Sequence, residues 1–247
     1  MIRIQHLTKR FGERIITNDL SLDIPEGKMT VIIGRSGEGK SLLLKQIIGL
    51  IKPTSGSIII DGIETTNCTP QEQQTVLQTC GYVFQFAALL DSLSVFENIA
   101  ITLLQNGYSR EQAREMVKEK LTCVQLNEDI LDKYPSELSG GMAKRVGLAR
   151  TLMNNPRIML YDEPTTGLDP ITQRHIHELM HSLQKQFNTT SVVISHSTDL
   201  FQFADHVAFL YEGRIAYTGP AQGIWECDNP YIYQFIRGNT HGPIQAV

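Results

Sequence analysis

Residues 2 to 7 and 18 to 24 alternate apolar with polar side chains, with Leu20, Leu22 and Ile24 on one face of the second run. That period of two predicts half-buried antiparallel strands. Pro25-Glu26-Gly27-Lys28 is a turn by composition, and the uncharged run Met29 to Ile33 reads as a strand covered on both faces. The period changes after Lys40. Leu43, Leu44, Ile47, Ile48 and Ile51 make a helical stripe that Lys52-Pro53 should stop. Gly56 to Asp61 and Gly81 to Phe84 are further strands, and Thr69-Pro70-Gln71-Glu72 carries the cap, proline and capping-box signals of a helix start.

From Phe86 to Leu138 the pattern is helical. Ser94 with Glu97 and Ser109 with Gln112 open two helices, the second with Ala113, Met116, Val117, Leu121 and Val124 on one face. Strand and helix then alternate again: a helix from Gly140 to Met153, a strand from Arg157 to Tyr161, and a helix from Pro170 to about Asn188. Strands follow at Ser191 to Ser195, His206 to Tyr211 and Arg214 to Thr218. The pattern predicts an α/β scaffold with an antiparallel start and a helical insertion. Tyr231 to Arg237 should be a final helix, with an extended end up to Val247 docking on a neighbour.

At 247 residues the chain suits one elaborated domain. No apolar run approaches the ~20 residues that span a bilayer, so work at a membrane would need a partner. The net charge of −4, without a basic block, gives no electrostatic support for nucleic-acid binding. Cys68, Cys80, Cys123 and Cys227 lack zinc spacing, and the N-terminus lacks a signal-peptide plan. A reducing cytoplasm is the expected setting.

The chemistry concentrates at strand ends. Gly34-Arg35-Ser36-Gly37-Glu38-Gly39-Lys40-Ser41 lies between a strand and a helix and fits the Gly-x-x-x-x-Gly-Lys-Ser/Thr phosphate loop. Its glycines let backbone N–H groups face phosphate oxygens, Lys40 would reach the β/γ-phosphates, and Ser41 would hold Mg²⁺. Arg157 to Glu163 is an apolar strand ending in two carboxylates, so Asp162 can meet the same Mg²⁺ while Glu163 orients and deprotonates a water. Leu138-Ser139-Gly140-Gly141-Met142 opens a helix whose N-terminus is a second anion site. An ordinary Ser N-cap is the competing reading. One nucleotide needs one phosphate loop, which suggests that this site serves a nucleotide bound elsewhere. Phe11, beside Lys9 and Arg10, either stacks on a base or staples a loop. His196 at a strand end reads as a γ-phosphate contact or a structural histidine, and Gln85 as a contact to Mg²⁺ or water that senses the inserted helices.

Taken in order, these segments resemble the nucleotide-binding domain of ABC transporters over nearly the whole chain. The resemblance implies a P-loop NTPase fold: a RecA-like parallel core sheet with helices (1–85 and 139–230), an N-terminal antiparallel β subdomain, an inserted helical subdomain (86–138) and a C-terminal extension (231–247). It implies ATP and Mg²⁺ as ligands and makes Phe11 the adenine-stacking aromatic and Gln85 the Q-loop. Ser139 to Met142 become the signature loop, Asp162 and Glu163 the Walker B carboxylates, Asp169 part of the D-loop and His196 the switch histidine. It also implies a second copy bound head to tail, so that each signature loop covers the other copy's ATP. Met142 and Leu42 depart from the usual Gln and Thr, which leaves the backbone donors intact.

Within that family, Phe84 to Val95, Met142 to Val146 and the tail from Tyr233 through Ile244 resemble the Mla-type, MCE-associated phospholipid-transport ATPases. This implies phospholipid transport serving outer-membrane lipid asymmetry, at the cytoplasmic face of a bacterial inner membrane. The implied partners are a lipid permease, an MCE-type lipid-binding protein and a small cytoplasmic regulatory subunit, with no nucleic acid. Other ABC systems (small-solute or lipoprotein-related), a DNA-maintenance ATPase and a stand-alone regulator are the alternatives. The ~50-residue insertion has neither the length nor the heptads of a coiled coil, which counts against DNA maintenance.

Overall fold

The computed structural model describes residues 1–245. β1 (Ile2–Phe11) and β2 (Arg14–Ile24) form an antiparallel hairpin, and β4 (Ser55–Ile60) and β5 (Ile63–Glu64) complete a four-stranded sheet in the order β2-β1-β4-β5. The second sheet has six strands. β3 (Met29–Gly34), β6 (Cys80–Val83), β7 (Ile158–Asp162), β8 (Thr190–Ile194) and β9 (His206–Tyr211) are parallel, and β10 (Arg214–Pro220) pairs antiparallel at one edge. The order β10-β9-β3-β8-β7-β6 brings the carboxyl ends of β3, β8, β7 and β6 side by side, where ligands sit in open α/β sheets.

Successive strand residues face opposite sides, and the six-stranded sheet uses both. Ile32, Leu160, Val192, Ile194, Ala208 and Leu210 pack with the first sheet and with Leu43, Leu44 and Ile47 of α1 (Lys40–Ile47). Val31, Ile33, Met159, Tyr161, Val193 and Phe209 face a second apolar cluster containing the inserted helices. Those helices are α3 (Val95–Gln105) and α4 (Arg110–Cys123), both opened by the capping boxes expected from Ser94 and Ser109. Thr69 caps α2 (Pro70–Thr79) in the same way. The insertion is tied to the core by α5 (Gly140–Leu152), which packs on α3, α4, β6 and α6 (Pro170–Phe187).

Two expectations are corrected. The first two strands run past the predicted 2–7 and 18–24, because β1 continues to Phe11 and only Gly12 and Glu13 turn the chain onto Arg14. The helix after Lys40 stops at Ile47 rather than Ile51. Gly49, at φ 73°, is the left-handed residue that ends it, and the N–H of Leu50 closes back onto the Lys45 carbonyl at 2.9 Å. The segment after α7 (Pro230–Arg237), expected to dock on a neighbour, is tied through Ile244 to its own chain. Gln234, 5% exposed, donates from Nε2 to the Ile244 carbonyl at 2.9 Å and accepts the Ile244 N–H on Oε1 at 2.7 Å. Ala246 and Val247, part of the same expectation, lie outside the described residues.

Candidate functional site

β3 ends at Gly34 and α1 begins at Lys40, so residues 35 to 39 form the loop between them. Gly37 and Gly39 sit at φ 83° and 89°, backbone that an L side chain takes up only with strain. A Cβ on Gly39 would also lie 2.5 Å from Cγ2 of Ile16. Lys40 is almost wholly buried, and its ammonium donates to the carbonyls of Gly34 at 2.9 Å and Arg35 at 2.8 Å. Burial pushes its pKa down, while the charges of Glu163, Glu38 and Asp162 pull against that. Glu38 braces the loop from outside, accepting the Glu212 N–H at 2.7 Å on Oε2.

Asp162, at the end of β7, accepts from Ser41 Oγ at 2.6 Å on Oδ1 and from the Tyr82 phenol at 2.9 Å on Oδ2. A hydroxyl and a carboxylate at this spacing are hard oxygen donors of the kind Mg²⁺ takes. Among the described residues no cluster of three or more His, Cys, Asp or Glu side chains could hold a metal. A cation on Ser41 and Asp162 would therefore complete its shell with phosphate and water, as Mg²⁺ commonly does with a nucleotide. The residues fit that ion.

Glu163 follows in a left-handed conformation, φ 48°, with its N–H on the Ile194 carbonyl at 3.1 Å. Such a conformation costs a non-glycine residue roughly 1–2 kcal/mol, and here it turns the side chain into a ring of donors. His196 Nε2 lies 2.8 Å from Oε1, while Thr166 Oγ1 at 3.0 Å and Gln85 Nε2 at 3.4 Å donate to Oε2. These partners hold the carboxylate in one orientation, from which it could take a proton from a water bound beside it. Gln85 makes no hydrogen bond to Asp162 in this arrangement. Its backbone carbonyl accepts from Lys144 of α5, and Arg150 of the same helix donates to the Ala87 and Ala88 carbonyls at 3.0 and 2.7 Å.

The phosphate loop, Asp162, Glu163, Gln85 and His196 are thus brought together. Ser139 to Met142 are not. Ser139 Oγ accepts the Met142 N–H at 3.3 Å as the N-cap of α5, and no hydrogen bond among the described residues joins this turn to the cluster. Gly140 and Gly141 abut Leu168 and Thr172 instead. Asp169 is the N-cap of α6, accepting from Ile171 and Thr172. Phe11, 54% exposed, ends β1 with the Lys9 ammonium 4.9 Å from its ring centroid. Sequence reasoning missed Tyr82 and Thr166. Thr166 had a signal, three residues after a carboxylate in a turn, whereas Tyr82 is reached only across the sheet.

Fold and site together define a P-loop nucleotide-binding protein with a second, unengaged helix N-terminus. The sequence model described as ABC transporter matches residues 17–166. The probable ribonucleotide transport ATP-binding protein mkl of Mycobacterium leprae is 38% identical over 245 residues, 98% of this chain and 70% of that protein. The intermembrane phospholipid transport system ATP-binding protein MlaF of Haemophilus influenzae is 34% identical over 247 residues, 99% of this chain and 93% of that protein. The dimeric post-hydrolysis structure of the ATP-binding cassette MJ0796, bound to ADP and Pi, superposes with a TM-score of 0.81 at 33% identity, over 90% of this chain and 99% of that one. The chain belongs to the ABC transporter family, as an ATP-hydrolysing, ATP-binding subunit. Among the described residues no helix is long and apolar enough to cross a membrane.

Proposed function

We propose that the chain hydrolyses ATP to drive phospholipid movement through a separate membrane permease, as one of two identical subunits. Residues Gly34 to Ser41 bind the phosphates, Phe11 stacks on the adenine, and Ser41 and Asp162 hold Mg²⁺, which neutralises phosphate charge when bound. Glu163 takes the proton of the attacking water, His196 contacts the γ-phosphate, and Gln85 contacts Mg²⁺ or water and relates the site to the inserted helices. Ser139 to Met142 and Asp169 act on the ATP of the partner copy, which accounts for an anion site that its own chain leaves unengaged. ATP held between Lys40 of one copy and Ser139 of the other shifts the population towards the closed dimer.

The permease docks beside Gln85, on Phe84, Phe86 and Leu90. These are exposed apolar side chains, Phe86 by 75%, next to carbonyls that α5 grips. The complex sits at the cytoplasmic face of an inner membrane, with an MCE-type lipid-binding protein and a small regulatory subunit as further partners.

For the cargo, the observation that carries the reading is the end-to-end match with MlaF, which spans 99% of this chain and 93% of that protein. A nucleotide or other small-solute cargo is the second reading, favoured by the higher identity, 38%, to a protein named for ribonucleotide transport. Purification of the native complex followed by mass spectrometry of its bound small molecules separates the two. Phospholipid enriched over the surrounding membrane is expected, and a stoichiometric polar solute would overturn the lipid reading.

A further inference from the structure

Asp162 is held at both carboxylate oxygens, by Ser41 on Oδ1 and by Tyr82 on Oδ2. The assignment above uses only the first bond. The register of the sheet explains the second. Tyr82 pairs with Leu160 of the parallel neighbour β7, and side chains two apart on a strand share a face. Asp162 therefore lies on the same side as Tyr82, about 6.6 Å farther along. A tyrosine leaning along the strand spans that gap, and the short hydroxyl of Ser or Thr does not.

The lever is fixed at its base. Tyr82 packs against the apolar cluster between the sheets. Its carbonyl accepts from Thr151 Oγ1 at 3.4 Å, and its ring lies 4.6 Å from that of Phe84, tilted by 45°. The carboxyl torsion of an aspartate is otherwise soft, with broad wells. One bond leaves the group free to swing, whereas two bonds on different oxygens define its plane.

We propose that Tyr82 is a positioning residue for the metal-binding carboxylate: its phenol pins Oδ2 of Asp162 so that Oδ1 stays turned to Ser41 and the Mg²⁺ that the two would hold. This rests on the assignment of Ser41 and Asp162 to Mg²⁺. Groups that orient a ligating carboxylate are typically worth 10- to 100-fold in metal affinity.

The test uses the full chain with Tyr82→Phe, which removes one oxygen and keeps the ring against Phe84, and with Tyr82→Met as a second apolar replacement. ATP affinity is measured with Mg²⁺ and in EDTA, in a Glu163→Gln background so that turnover does not intervene. In both variants the gain in affinity given by Mg²⁺ should fall about tenfold or more, with affinity in EDTA unchanged. In the Glu163 chain, half-saturating Mg²⁺ for hydrolysis should rise by a similar factor. Asp162→Asn should abolish the Mg²⁺ gain, and adding Tyr82→Phe to it should change nothing further. An unchanged Mg²⁺ gain in Tyr82→Phe, or an equal loss in EDTA, overturns the role of Tyr82 and leaves the metal assignment standing. An unchanged gain in Asp162→Asn overturns the metal assignment and this inference together.

Discussion

At the scale of single residues, the site is a set of side chains whose hydrogen bonds are already made. Glu163 has three hydrogen-bond partners on its carboxylate and a backbone conformation that costs energy to hold, which fixes where the proposed general base sits. Glu163→Gln should bind ATP with near-normal affinity and lose turnover by roughly 10²- to 10⁴-fold, read by steady-state phosphate release. The same variant should accumulate as dimer on a sizing column run with MgATP. Lys40 tests the proposed sharing of the site between copies. Lys40→Ala should no longer dimerise on addition of ATP, and ATP-driven dimerisation that survives the substitution would refute a site shared between copies. The phosphate loop and its carboxylates were legible in the sequence because their chemistry lies in consecutive residues at strand ends. Tyr82 was not, because its partner stands 80 positions away on another strand and only the register of the sheet joins them.

At the scale of elements, local signals succeeded and tertiary ones failed. The capping boxes at Thr69, Ser94 and Ser109 formed as written, since every atom involved lies within one turn. The end of α1 was misplaced because Lys52-Pro53 was the louder stop, although Gly49 had already turned left-handed. Within the final segment, Gln234 gives Ile244 both a donor and an acceptor and so imitates a strand partner. No periodicity announces such a bond. Gln234→Leu should leave the Ile244 N–H and carbonyl unpaired at a cost of about 1–3 kcal/mol. At about 2–4 °C per kcal/mol for a chain of this size, thermal unfolding should move down by roughly 2 to 12 °C. An unchanged midpoint would mean that the segment contributes nothing to stability.

At the scale of the whole molecule, α6 couples the turn after Glu163 to the core through a buried histidine. His177 is fully buried, with Nε2 3.2 Å from Thr165 Oγ1, and burial pushes its pKa down to about 4. The unfolded chain takes up this proton near pH 6.5 and the folded chain does not. The stabilising effect of keeping the ring neutral is therefore complete above pH 6.5 and is lost as pH falls towards 4, at ~1.4 kcal/mol per pH unit. Urea unfolding at pH 7 and pH 5 should show this loss, and His177→Met should reduce the slope; an identical slope in both chains would exclude His177 as its source.

The central sheet has a consequence of its own. Neighbouring residues of its strands belong to two separate apolar clusters, one shared with the antiparallel sheet and one with the inserted helices. The sheet thus divides the apolar interior into two compartments, and the buried residues of α3 and α4 belong to only one of them. Deuterium uptake should record α3 and α4 opening together, at a free energy below that of global unfolding, while the strands under the phosphate loop keep their amide hydrogens.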